Sequence, residues 1–526
     1  MRAGHNNSEP IRGLMIDAAR LTERIDFYYE LITQLADWGY NTVWWHFCDD
    51  EGFALKLKSH PEFASPYALT TEEMKELTQH AKIQGIDLVP EVESLGHALA
   101  ITSLPQYSHL FNGDPQGHNA LCPSHPDTLE LLADIIEETI EISDSNFLHV
   151  GLDEANIGDC ARCADKTAGQ PPWWLFAEHA KAVHKLVTEK GRRMIMWADM
   201  VEKYPELLEV LPKDIVLTHW HYTDVPAEII RPSADAGFNT VCAGAISNPI
   251  IQPGEIAFKN VADNARLVDE LSSKGCLGMA VCWWESHRHL RDTYPLAAKY
   301  AVDSMRSAPP EDMIKYTDDF IREYFGVEDK QLAWAFWNLQ KTVFDILTTQ
   351  TLFPRSFVAF HNALLYEKSH PKISEQLENA EESLRIVREN VKTVSYNRDV
   401  YNAYLLAGRI NIQALHNALQ FRAAFQHYST ALKKEDSKCC AEEIRGHLKD
   451  TYNVLQEVSD NVSRLVEDVS AEWDRTRHPD DLKKYDASPY MRQRGARGIL
   501  PILFKSDKFL RKTVEMLHDM YQHFKK

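Results

Sequence analysis

The chain has 526 residues and carries 57 Lys+Arg against 77 Asp+Glu, a net charge of −20. Such a surface repels phosphate backbones, so no nucleic-acid partner is expected. Hydrophobic residues make up 44% and charged residues 25%, globular proportions that exclude disordered and fibrous classes. No apolar run approaches the ~18–20 residues of a membrane helix, so no membrane partner is expected either.

Met1–Pro10 contains no apolar stretch of the kind a secretory signal needs. Cys48, Cys242 and Cys282 lie in apolar, strand-like runs where cysteine acts as a small hydrophobe. That usage fits a reducing compartment, and a cytoplasmic location is expected.

From residue 11 to about 305, short apolar runs alternate with amphipathic stretches. Strands are expected at Ile11–Asp17, Thr42–Phe47, Asp87–Glu91, Phe147–Leu152, Arg193–Trp197, Ile215–Trp220, Asn239–Ala243 and Gly278–Trp284. Helices are expected between them, among others at Glu23–Asp37, Thr71–Gln84 and Asp127–Ile142. Apolar strands separated by helices imply a parallel sheet covered on both faces. Eight such units point to a (β/α)8 TIM barrel, residues 1–309. The alternative, a doubly wound open sheet, lacks a Gly-x-Gly-x-x-Gly after its first strand.

After Pro309-Pro310 the strand-like alternation stops. Residues 310–526 read as an all-helical C-terminal domain, with Tyr401–Leu432 helical in period and Glu472–Arg497 a long charged loop. Those apolar helix faces must be buried on the barrel or in a second subunit, so a homodimer is expected.

In a (β/α)8 barrel the reacting residues sit where the strands end. Here those ends carry His46 to Glu51, Glu91 to His97, Asp153-Glu154, Trp197 and Asp199, His219 to Tyr222, and Trp283 to His287. Carboxylates, imidazoles and indoles on one rim suit sugar chemistry. Indoles cover the C–H faces of pyranose rings, and a carboxylic acid can protonate a glycosidic oxygen. Trp197, Trp220, Trp283 and Trp284 are each weighed between pocket wall and core. Trp44 and Trp45, inside the second strand, are expected in the core, one facing the barrel interior and the other the helices.

Several segments, taken in order, resemble family 20 glycoside hydrolases, the β-N-acetylhexosaminidases. Leu148-His-Val-Gly-Leu-Asp153-Glu154 resembles the family's His-x-Gly-Gly-Asp-Glu. Arg12-Gly-Leu-Met-Ile-Asp17-Ala-Ala-Arg20 resembles its opening strand. His46-Phe-Cys-Asp49-Asp50-Glu-Gly and Pro90-Glu-Val-Glu-Ser-Leu-Gly96-His97 resemble two further signatures, and Trp283-Trp-Glu285 resembles its Trp-x-Glu.

The resemblance implies an exo-acting, retaining hydrolase of terminal β-linked GlcNAc or GalNAc on oligosaccharides and glycoconjugates, without cofactor or metal. The substrate's own acetamido carbonyl attacks C1 to form an oxazolinium ion. On this analogy Asp153 orients the acetamido N–H and Glu154 is the general acid and base, with His97 and Asp50 supporting it. Arg12 contacts the sugar 3- and 4-hydroxyls, Glu285 the 4- or 6-hydroxyl, Trp283 walls the pocket, and Asp199 lies near the acetamido group.

Departures from the family pattern are Leu152 for its second Gly, Leu95 for its Pro, a seventh strand without Tyr, and no small α/β domain ahead of Arg12. They resemble the cytosolic hexosaminidase D-like branch.

Three other constellations are discounted. Cys160-Ala-Arg-Cys163 supplies only two of the four ligands of a structural zinc, and reads as loop thiols, with metal or disulfide as alternatives. Cys439-Cys440 reads as incidental. His219 and His221 suggest a metal-dependent amidohydrolase, but that class wants its His-x-His at the end of strand one, where Ile16-Asp17-Ala18 stands.

Overall fold

The computed structural model describes residues 9–523 apart from 114–119, 158–159, 248–251, 345, 437–440 and 479–498. Eight parallel strands close a barrel. In chain order they are β1 (Ile11–Asp17), β2 (Thr42–His46), β3 (Asp87–Glu91), β4 (Phe147–His149), β5 (Arg193–Trp197), β6 (Val216–Trp220), β7 (Asn239–Ser247) and β8 (Cys276–Trp283). β1 closes the ring by pairing with β2 (Asp17 opposite His46) and with β8 (Ile16 opposite Trp283). The (β/α)8 expectation is met.

The strand sequences are continuously apolar because both faces are covered. Inward residues such as Met15, Trp44, Val89, Trp197, Ala243 and Cys282 form one compact core inside the barrel. Outward residues such as Leu14, Val43, Trp45 and Trp283 join a larger core under the helices. Trp44 and Trp45 divide between the two cores, as strand alternation requires.

Local chemistry sets the helix limits. In Thr71–Gln84, Thr70 and Glu73 form a reciprocal capping box, and Gly85 ends the helix in the left-handed conformation. The helices expected at Glu23–Asp37 and Asp127–Ile142 form at Ile25–Trp38 and Pro126–Ile140.

β4 stops earlier than expected, at His149, because Gly151 (φ 63°) and Leu152 (φ 74°) turn the chain out of the strand. β7 runs four residues longer than expected, to Ser247.

Residues beyond 310 form helices, including two long ones at Arg398–Asp436 and Ala441–Thr476, with a third at Ile499–His523 packed on the second. The expected loop at Glu472–Arg497 is corrected at its start: Glu472–Thr476 continue the helix, where Trp473 is buried. Residues 479–498, and Cys439 and Cys440, lie outside the described residues.

The helical region docks on the barrel. The Leu296 amide donates to the Tyr404 hydroxyl at 3.0 Å, and Arg475 pairs with Asp292 at 2.6 Å. Arg477, 1% exposed, donates to Glu23 at 3.2 Å and to the His289 carbonyl at 3.1 Å, with its guanidinium over Trp473.

Removing one partner of a buried ion pair strands the other charge. Arg477→Ala is therefore expected to destabilise the protein by about 3–5 kcal/mol, measured by chemical denaturation. A loss under ~1 kcal/mol, the range of surface pairs, would show that this contact does not hold the two regions together.

Candidate active site

At the C-terminal ends of the strands a pocket of about 200 Å³ is lined by Arg20, Asp49, Glu93, His97, Asp153, Glu154, Trp220, Tyr222, Trp284 and Glu285. Its floor comes from the chain just after β4. Asp153 and Glu154 are consecutive, yet both reach the pocket because Leu152 (φ 74°) and Glu154 (φ 45°) are left-handed and the strand has ended. Such conformations cost about 1–3 kcal/mol each for non-glycine residues and need a surrounding structure that enforces them.

Close packing supplies that enforcement. A Cβ on Gly96 would lie 2.3 Å from the Asp153 carbonyl oxygen, and one on Gly151 would lie 2.0 Å from Glu93 Oε2. The Glu154 amide donates to Asp199 Oδ2 at 2.9 Å, and the Leu152 side chain is fully buried.

His97 is the hub. Its Nε2 lies 3.2 Å from Glu154 Oε2 and 3.7 Å from Asp153 Oδ2. Its Nδ1 lies 3.5 Å from Asp49 and 3.7 Å from Asp50. Burial opposes a charged ring, but Asp49 and Asp153 hold the imidazolium well above the usual histidine range. Asp50 also accepts the Leu99 amide at 3.1 Å, which fixes the chain after His97.

Asp153 is buried, which raises its carboxyl; His97 offsets this in part and Glu154 adds to it. Burial and Asp153 together push Glu93 well above the ordinary carboxyl range. Asp153 Oδ1 is buried and has no hydrogen-bond partner among the described residues.

A second layer supports the first. His46, between Asp49 (3.0 Å) and Glu91 (3.4 Å), is pushed up to about 10 despite its burial. Glu91 accepts the Trp197 indole N–H at 2.9 Å. Arg20 binds Asp17 (2.9 Å), Asp49 (2.7 Å) and Glu51 (3.1 Å), and this carboxylate shell keeps its guanidinium charged against burial. Asp17 also accepts the Glu285 amide at 2.8 Å and so holds the β8 rim in place.

The expected site residues divide as follows. Asp153, Glu154, His97, Trp220 and Glu285 line the pocket. Asp50 and Asp199 lie directly behind it. Three expectations are corrected.

Arg12 begins β1 at the opposite end of the barrel, where it donates to the Gly39 carbonyl and pairs with Glu9; Arg20 is the arginine in the pocket. Trp283 points outward onto Phe27, Tyr294 and His289, and Trp284 takes the pocket position. Trp197 lies in the barrel interior beneath Trp284 rather than on the pocket wall.

Tyr222 was not assigned. It follows β6, accepts the Trp284 indole N–H at 2.7 Å and donates weakly to Cys282 Sγ at 3.8 Å. His219 and His221 converge on Glu202 at 2.6 and 3.1 Å, and Glu202 is held near 2 by their hydrogen bonds despite burial. That hydrogen-bonded triad accounts for the His-Trp-His motif.

Residues 10–247 match the model of the glycosyl hydrolase family 20 catalytic domain. This segment is similar to that family's catalytic domain. A β-hexosaminidase of Vibrio furnissii is 27% identical over 291 residues, 48% of this chain and 44% of that protein. A β-N-acetylhexosaminidase of Cellulomonas fimi is 23% identical over 321 residues, 58% of this chain and 56% of that one. The chain thus spans about half the length of these relatives.

Among solved structures, a β-N-acetylhexosaminidase from Bacteroides fragilis aligns with TM-score 0.51 at 20% identity, over 60% of this chain and 70% of that one. It supports the fold.

At the rim of the barrel, Asp199 gives a pH signature. Burial, reinforced by Asp153, raises its carboxyl to about 7. Between its unfolded pKa of about 3.9 and about 7 the folded state holds a proton that the unfolded state has lost. The stability contribution therefore falls as pH rises through this window. Asp199→Asn keeps an acceptor for the Glu154 amide and removes the titration. The variant is expected to match the parent near pH 4.5 and to exceed it by about 1–3 kcal/mol at pH 8, an order of magnitude from about 1.4 kcal/mol per pKa unit. Parallel pH–stability curves for the two proteins would refute the assignment.

Proposed function

We propose that the protein is an exo-acting, retaining β-N-acetylhexosaminidase that removes terminal β-linked GlcNAc or GalNAc by substrate assistance. The observation that carries this reading is Asp153, which lines a pocket the size of one sugar ring and whose buried Oδ1 has no hydrogen-bond partner among the described residues. A substrate acetamido N–H satisfies it. Asp153 then orients the acetamido group so that its carbonyl oxygen attacks C1, and its charge stabilises the developing oxazolinium ion.

Glu93 and cationic His97 keep Asp153 in position. Glu154 donates a proton to the departing oxygen, then takes one from the water that opens the oxazolinium ion at C1. Trp220, Trp284 and Tyr222 wall the acetamido side. Tyr222 stands in for the tyrosine that β7 lacks, and its hydroxyl, already accepting from Trp284, turns its one proton from the weak Cys282 contact to the acetamido oxygen. Arg20 and Glu285 take the sugar hydroxyls.

The named relatives, β-hexosaminidases of bacteria and fungi among them, support the substrate class. The cytoplasmic location rests on buried thiols such as Cys48 and Cys282, and subcellular fractionation tests it; the hexosaminidase D-like branch rests on Leu95, Leu152 and a seventh strand without tyrosine. The homodimer reading rests on exposed Phe357, Val358 and Phe425 on the helical domain, and sedimentation of the full chain tests it.

The deciding assay is turnover of p-nitrophenyl N-acetyl-β-glucosaminide and its galacto isomer, with p-nitrophenyl β-glucoside as control. Activity on either N-acetyl sugar and none on the glucoside is expected. Binding of N-acetylglucosamine without turnover would mark a carbohydrate-binding barrel instead.

A further inference from the structure

Beside the pocket, the loops that follow β3 and β4 are joined by three thiols. Cys122 Sγ lies 3.4 Å from Cys160 Sγ and 3.5 Å from Cys163 Sγ. The three sulfurs lie within 4.8 Å of one another. Cys122 and Cys163 are buried, while Cys160 is partly exposed. The Cys163 amide donates to Cys160 Sγ at 3.4 Å, folding the Cys-x-x-Cys segment so that both sulfurs face the same side. Leu175 packs against the cluster.

Neutral thiols are weak donors and weak acceptors, so mutual attraction does not account for three of them meeting edge to edge. Thiolates around one metal do account for it. Bonds of about 2.3 Å at tetrahedral angles place sulfurs roughly 3.8 Å apart, close to the observed separations. From the sequence only two ligands were visible; the third comes from 38 residues before Cys160.

We propose that Cys122, Cys160 and Cys163 form a thiolate site for one thiophilic divalent cation of the zinc type, with the fourth coordination position open to solvent on the Cys160 side. The site is structural. It ties the β3 loop, which carries Glu93 and His97, to the β4 loop, which carries Asp153 and Glu154. Both loops already touch nearby: the Leu121 amide donates to the Leu95 carbonyl at 2.8 Å, and Asn112 donates to the Asn156 carbonyl at 2.8 Å. A bound cation adds a rigid clamp between them and takes no part in bond cleavage.

The test uses the full, reduced chain and cobalt(II) as a spectroscopic substitute. One equivalent of cobalt is expected to give thiolate-to-metal charge-transfer bands and tetrahedral visible bands, both abolished by one equivalent of zinc. Zinc is expected to protect three thiols from a thiol reagent and to raise the melting temperature. Cys122→Ser and, independently, Cys160→Ser are expected to weaken zinc binding at least about 100-fold, because each removes one of three anionic ligands. Cys276→Ser, a thiol outside the cluster, is expected to leave it unchanged. Absence of the charge-transfer bands in reduced wild-type protein would overturn the proposal. So would unchanged zinc affinity in both cluster variants, or a Cys122 disulfide in protein purified without oxidant.

Discussion

Asp153→Asn is expected to lower kcat by about 10²–10³-fold on every N-acetyl-β-hexosaminide, whatever its leaving group; losses of this size accompany removal of one preorganised electrostatic contact to a transition state. The reason lies in where charge develops. In the proposed mechanism, attack by the acetamido oxygen leaves positive charge on the acetamido nitrogen, next to Asp153. The asparagine keeps the size and one acceptor oxygen but loses the negative charge, while His97, 3.7 Å from Asp153 Oδ2, keeps its positive one. The site then opposes the charge it was built to stabilise. Ground-state binding changes less, so KM is expected to move little compared with kcat. A Brønsted plot of kcat against leaving-group pKa is expected to drop with its slope unchanged. Undiminished turnover would remove Asp153 from the reaction and the substrate-assisted mechanism with it.

The barrel was legible because each strand is buried on both faces and so reads as an unbroken apolar run. Strand ends were less legible. β4 stops at His149 because Gly151 and Leu152 take left-handed backbone conformations. Leu152 gives no sequence signal for that, since a buried leucine reads as strand. Its conformation is imposed by neighbours such as Glu93, whose carboxylate accepts the Leu152 amide at 3.3 Å.

The site was legible where residue order sufficed and misread where direction mattered. Arg12 and Arg20 stand in one quoted motif, but strands rise about 3.3 Å per residue. Arg12 is therefore roughly 16 Å below Asp17, whereas Arg20 follows the strand and turns back onto Asp17. Trp283 and Trp284 differ by the two-residue alternation: Cys282 faces the barrel interior, so Trp283 faces the helices. That rule, applied to Trp44 and Trp45, divides them correctly. Applied at β8, it selects Trp284. Tyr222 and Cys122 had no such signal, because their partners come from other strands and loops.

Glu154→Gln is expected to separate substrates by leaving group. Glu154 is the most exposed of the pocket carboxylates in contact with His97, with its side chain 39% accessible and Oε2 3.2 Å from His97 Nε2. It faces the open side of the pocket, where an aglycone departs, while Asp153 is buried beneath. Proton donation by a positioned acid contributes about 10²–10⁴-fold when the leaving oxygen is basic. A disaccharide's alkoxide needs that proton; a dinitrophenolate does not. The glutamine cannot donate an acidic proton but preserves the size and the backbone bond to Asp199. Hydrolysis of an N-acetylglucosamine disaccharide is expected to fall by about 10²–10⁴-fold, and that of the dinitrophenyl glycoside by at most about tenfold, the residue's acid role being absent there. Equal losses on the two substrates would show that Glu154 positions the pocket without donating a proton, and the general acid would then have to be sought among the other carboxylates around His97.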